Sequence, residues 1–186
     1  MHPRSQCRNC AVAPPRFTQL RSWCAFEAPI RPALHKLKYR HDLGLSEALI
    51  PQLTEFVIAL DWSVDVAMPV PLGSRRYRER GYNQAGLISW PLALALGIRH
   101  TSHALSRSRE TPSQVGLTRA GRQKNVHRAF VASPESVNGR SILLVDDVAT
   151  TGATLSSCAD ALFAAGARDV FSLTVARAIH GPAGDV

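Results

Sequence analysis

The sequence predicts an α/β domain with a central, mostly parallel sheet flanked by helices. Three stretches carry this reading. SILLVDDV, residues 141–148, is a nearly continuous aliphatic run, as expected of a strand covered on both faces. The segment 153–165 then sets Leu155, Cys158 and Leu162 on one helical stripe and stops at Gly166. DVFSLTVARA, residues 169–178, is the next strand, so 141–178 form a β-α-β unit of the length a right-handed parallel crossover requires. Ligands of such sheets bind at the carboxyl ends of the strands, and Asp146 and Asp147 fall there.

Upstream, residues 1–28 contain Cys7, Cys10, Cys24 and the Pro14-Pro15 pair without clean periodicity, and read as a short cysteine-containing appendage to a domain spanning 29–186. Ile30, Leu34 and Leu37 fall at helical spacing. Leu45, Leu49, Leu53, Phe56 and Leu60 mark a second helix, which Pro51 is expected to kink or interrupt. VDVAMPV, residues 64–70, alternates as a strand does and ends in Pro71, Leu72 and Gly73. A helical pattern resumes over 84–96 with an interruption at Pro91. Residues 107–125 form a long stretch rich in Arg, Ser and Thr, of a length that in compact domains is functional or disordered.

Composition narrows the function classes. With 186 residues, 45% of them hydrophobic, the chain can supply a core for one domain. Lys+Arg 22 against Asp+Glu 14 gives a formal net charge of +8, which favours anionic partners: phosphorylated metabolites, nucleic acid or acidic protein. No apolar run approaches a membrane span, and MHPRSQCRNC lacks the apolar segment of a signal peptide, so a cytoplasmic location is expected. Four cysteines, three within the first 24 residues, do not make a disulfide framework.

The loop after the acidic pair is ATTGAT. Thr150, Thr151, Gly152, Ala153 and Thr154 open a helix, where backbone N–H groups, the positive end of the helix dipole and hydroxyls together make a phosphate cradle. Asp146 and Asp147, one step upstream, suit ribose hydroxyls or positive charge developing at a sugar carbon. A plain strand end with a tidy cap remains the alternative. A nucleoside triphosphatase would need GxxxxGK[ST], and GLTRAGRQ (116–123) has Arg122 and Gln123 where Lys and Ser or Thr belong.

ILLVDDVATTGAT resembles the phosphoribosyl pyrophosphate signature of type I phosphoribosyltransferases. LHKLKYRHD (34–42), PVPLGSRRYRERGYNQA (69–85) and the spaced set Arg109, Thr111, Gln114, Leu117, Arg122, Asn125 and Phe130 are similar to the ComF branch of that family, and the resemblance covers 25–178. It implies the type I phosphoribosyltransferase fold and a site for phosphoribosyl pyrophosphate with Mg2+. In it, Asp146 and Asp147 hold the ribose hydroxyls and Thr150, Thr151, Gly152, Ala153 and Thr154 the 5'-phosphate. Leu72, Gly73 and Ser74 would form the pyrophosphate loop, with Arg75 and Arg76 adding charge. Lys38, Arg80, Asn83 and Gln84 belong to its motifs, with Arg80 equally suited to bracing the loop; Arg109, Gln114, Arg122 and Asn125 lie in the loop that closes over the sugar.

The implied chemistry needs no protein nucleophile, and magnesium is expected to sit largely on the substrate's own oxygens and water. Family members often begin with paired CxxC motifs that bind zinc; here only Cys7 and Cys10 are paired, a closed site would need His2, Glu27 or a second chain, and zinc is not expected. Two function classes stay open: a transferase with an unidentified acceptor, and a non-catalytic binder, either a metabolite sensor or a competence factor that contacts single-stranded DNA.

Overall fold

A computed structural model describes residues 14–40, 44–108 and 129–178. Its centre is a five-stranded sheet in the order β1-β7-β6-β2-β3. The strands are β1 (Gln19–Ala25), β2 (Val66–Pro69), β3 (Arg99–His100), β6 (Ser141–Ala149) and β7 (Asp169–Arg177), and every pairing among them is parallel. A separate antiparallel ribbon joins β4 (Leu105–Arg107) to β5 (Phe130–Ala132).

The helices are α1 (Ile30–Tyr39), α2 (Gly44–Ala59), α3 (Ser74–Arg80), α4 (Gln84–Ala95), the short α5 (Pro134–Val137) and α6 (Ala153–Ala164). Two hydrophobic clusters cover the sheet. One unites Ile142 and Leu144 with the β4-β5 ribbon and Leu155, Cys158 and Leu162 of α6. The other unites Leu143 and Val145 with Leu34 and Leu37 of α1, Leu53 and Val57 of α2, and Ile88 and Leu92 of α4. Successive residues of a strand face opposite sides, so two covered faces demand an aliphatic residue at every step of 142–145. Each leucine buried there contributes roughly 1.5–3 kcal/mol relative to exposure. Among the described residues no helix is long and apolar enough to cross a membrane.

Three expectations change. Residues 19–25, assigned by the sequence to the appendage, form the edge strand β1, paired with β7 from Gln19↔Phe171 to Ala25↔Arg177. An edge strand has one neighbour and is only half-buried, so QLRSWCA shows little of the apolar signal that marks β6. Leu20 packs on one cluster and Trp23 on the other, which ties the strand to both layers. Pro51 and Pro91 lie inside α2 and α4, which run through them. A proline removes one N–H, and buried residues on its C-terminal side, Leu53 and Val57 in α2 and Leu92 and Ala93 in α4, hold each helix against that loss. VDVAMPV, expected as a strand over 64–70, contributes a shorter one, Val66–Pro69, whose four residues are all buried.

Candidate functional site

Strands β2 and β6 are neighbours in register, with Pro69 opposite Val145, so the segments that leave their carboxyl ends emerge side by side. One is the 150–154 loop, which follows Asp146 and Asp147 at the end of β6; the other is Val70, Pro71 and Leu72 leading into α3. Both line a cavity of about 750 Å³, joined by Lys38 and Tyr39 of α1, Phe26 beyond β1, and Arg107 of β4. The separation in sequence, 72 to 146, closes because the two strands are paired.

The 150–154 loop is shaped by its backbone. Gly152 has φ of +77° and caps α6, a left-handed conformation that glycine adopts without the steric cost of a side chain. A Cβ there would meet Phe17 only at an ordinary 3.6 Å, so the backbone, not crowding, calls for glycine. The Thr151 hydroxyl accepts the Ala153 N–H at 3.3 Å, and the Gly152 carbonyl accepts the Ser156 N–H at 2.8 Å. Thr150, Thr151, Gly152, Ala153 and Thr154 all line the cavity.

Asp146 and Asp147 are adjacent in β6, and both line the cavity. Asp147 is 4% exposed, and its carboxylate forms an ion pair with the Lys38 ammonium from α1. Asp146 is half-buried, accepts the Asp147 N–H at 2.9 Å, and its charge reaches the Cys158 thiol of α6, which burial and that charge push well above its ordinary value. Among the described residues no group of three or more His, Cys, Asp or Glu is placed to cage a metal.

Of the second segment, Leu72, Arg75 and Arg76 line the cavity, with Glu79 held to Arg75 at 3.6 Å. Gly73 and Ser74 do not: Gly73 is the buried cap residue before α3 and Ser74 is exposed. Asn83 is also off the wall. Its side chain accepts the Ala85 N–H at 3.1 Å to cap α4 and donates to the Val70 carbonyl at 3.0 Å, fixing the segment that leaves β2.

RGYNQ (80–84) thereby acquires a physical account that the sequence alone withheld. Arg80 donates to Gln84 at 3.0 Å and lies 5.0 Å from the Tyr39 ring centroid; Gly81 ends α3 at φ +77°; the Tyr82 hydroxyl donates to the Leu37 carbonyl. The motif ties α1 to α3 and α4 at the mouth of the cavity.

Arg109, Gln114, Arg122, Asn125, Cys7 and Cys10 lie outside the described residues. Sequence reasoning did not single out Phe26, Tyr39, Glu79 or Arg107. Tyr39 and Arg107 lie in stretches already marked, KLKY and the polar run from 107, whereas Phe26 carries no local signal because its place depends on β1 joining the sheet.

Residues 91–185 match the family model described as "Phosphoribosyl transferase domain". The chain is similar to the DNA utilization protein YhgH of Salmonella typhi, 34% identical over 174 residues that cover 91% of this chain and 76% of that one. It is also similar to competence protein F of Haemophilus influenzae, 28% identical over 92% of this chain and 78% of that one. Competence protein ComFC of Bacillus subtilis is 29% identical, with coverage of 92% and 72%.

The acidic pair is electrostatically costly. Burial above all, and then the negative charge of Asp147, push Asp146 well above its ordinary value of 3.8, while the Asp147 backbone N–H and the Lys38 charge act against the shift. Below 3.8 the acid is neutral in both folded and unfolded chains, and no penalty arises. As pH rises the unfolded chain ionises first, so the folded state loses stability until pH passes the elevated folded value. Asp146→Asn, neutral throughout, is expected to raise Tm at about pH 8 and to leave it nearly unchanged at about pH 3. Thermal unfolding across that range checks this; a lowered Tm at the upper pH would contradict it.

Proposed function

The chain belongs to the ComF family of type I phosphoribosyltransferases, and on that premise we propose that it binds phosphoribosyl pyrophosphate with Mg2+ and transfers the phosphoribosyl group to an acceptor. The observation that carries this reading is that one cavity of about 750 Å³ is lined together by the acidic pair, the 150–154 loop, and Leu72, Arg75 and Arg76. A ligand that carries phosphate, a diol and pyrophosphate matches that set of groups.

In this reading the 150–154 loop takes the 5'-phosphate, Asp146 and Asp147 accept hydrogen bonds from the ribose hydroxyls, and Leu72 with Arg75 and Arg76 takes the pyrophosphate. The C1–O bond breaks with its electron pair leaving on pyrophosphate, a new bond forms from the acceptor nitrogen to C1, and the acceptor gives up a proton. The carboxylates lower the energy of positive charge as it grows on the sugar ring. Arg75 and Arg76 stabilise charge gathering on the leaving group. Oxygen donors in the wall, Asp146, Asp147 and the threonine hydroxyls, suit a hard cation, and Mg2+ bound there with the ligand's own oxygens would supply further charge neutralisation to the leaving group.

A second reading, contact with single-stranded DNA, is favoured by one feature. Tyr39 and Tyr77 are 58% and 51% exposed on α1 and α3, among the exposed Lys36, Arg40, Arg75 and Arg78. Aromatic faces set among cations suit stacked bases and phosphates. The names of the relatives, DNA utilization and competence proteins, agree with this reading.

Magnesium with phosphoribosyl pyrophosphate at a hundred times Kd is expected to stabilise the wild type by about 2.7 kcal/mol, roughly 5–10 °C in Tm, and the doubly substituted Asp146→Asn, Asp147→Asn chain is expected to show no such shift. Absence of a shift in the wild type would sink the assignment. Binding to an oligothymidylate should weaken steeply with salt and again in Tyr39→Ala with Tyr77→Ala; a salt-independent affinity would rule out the phosphate-contacting face.

A further inference from the structure

The ion pair between Lys38 and Asp147 sits where the proposed ligand must make its contacts. The Lys38 side chain is 23% exposed and that of Asp147 is 5% exposed, and both residues line the cavity. Asp146 already accepts an N–H from the backbone of Asp147. The ammonium therefore answers the carboxylate that lies deepest in the wall. Removing one member of so buried a pair leaves the other as an uncompensated charge, so Asp147 needs some partner at all times.

Lys38 is held in place from both sides along α1. Leu34 and Leu37 are each 1% exposed in the core beneath it, the Leu37 carbonyl accepts the Tyr82 hydroxyl, and the Tyr39 ring lies under the Arg80 guanidinium at 5.0 Å. The backbone at 38 is thus anchored, while the side chain is a flexible four-carbon stem with a compact charge and rotatable donors. A fixed root and a mobile tip suit a group that changes partner.

We propose that Lys38 is an internal counter-ion that the ligand displaces: it occupies Asp147 in the empty site, yields that carboxylate to a ribose hydroxyl, and turns to the pyrophosphate oxygens once they arrive. Lys38 would then act as a specificity residue. A sugar phosphate without pyrophosphate must break the ion pair and offers the ammonium no new partner; phosphoribosyl pyrophosphate breaks the same pair and replaces it. The wild type would therefore discriminate against ribose 5-phosphate, which has the same diol and 5'-phosphate. This inference rests on the sugar-phosphate reading of the site.

Two measurements test it. In the empty protein, acylation of Lys38 followed by mass spectrometry should be several-fold slower in the wild type than in Asp147→Asn; equal rates would overturn the counter-ion role. In calorimetric titrations, Lys38→Met should bind ribose 5-phosphate several-fold more tightly than the wild type and phosphoribosyl pyrophosphate more weakly, collapsing the preference between them. Lys38→Gln, which keeps a polar side chain, should show the same crossover and serves if Met lowers stability. Ribose 5-phosphate bound no more tightly by either variant than by the wild type would overturn displacement while leaving the site itself standing. Failure of both ligands to bind wild type and variants alike would refute the sugar-phosphate reading, and displacement with it.

Discussion

Burial of β6 on both faces is the constraint on which the rest of the structure depends. Its residues 142–145 face two hydrophobic clusters alternately, so the strand must stay aliphatic until it reaches the sheet's carboxyl edge. Asp146 and Asp147 are the first positions where charge is admitted, and even there burial holds one acid well above its ordinary value and obliges the other to take a lysine partner. The same edge receives β2 beside β6, which brings the distant segment at Leu72, Arg75 and Arg76 into the same cavity. Remove the two-sided burial and neither the acidic pair nor the segments beside it would be held in register.

Much of this was legible beforehand, because the β6-α6-β7 unit writes its pattern locally. A run of aliphatics, a helical stripe and a terminating glycine each occupy consecutive residues, and the 150–154 loop lies between strand and helix. What could not be read depended on partners distant in sequence. The strand 19–25 has a weak apolar signal because an edge strand is paired on one side only, so its membership in the sheet, and with it the place of Phe26 in the cavity, required β7. Pro51 and Pro91 look like helix breakers locally, yet buried neighbours keep α2 and α4 continuous. RGYNQ looked functional without a mechanism, and its hydrogen bonds to Leu37 and Val70 make it the fastening between α1, α3 and α4.

That fastening gives the site a division of labour. Rigid elements hold the carboxylates and the glycine turn, while long cationic side chains from α1, α3 and β4 surround them. Positive charge is thus carried on flexible stems and negative charge on a buried strand. This arrangement also explains why the excess of basic residues does not by itself identify a partner: part of it serves the cavity, and part lies on the exposed faces of α1 and α3.

The central claim is that one cavity contains two distinct anion seats beside the acidic pair. Calorimetric titration of ribose 5-phosphate and of pyrophosphate, each with magnesium, against Gly152→Val and Arg76→Ala tests it most directly. The account predicts that Gly152→Val weakens ribose 5-phosphate and spares pyrophosphate, whereas Arg76→Ala does the reverse. If either substitution removed both ligands equally, in a protein that remained folded, the two seats would not be separate and the account would be contradicted.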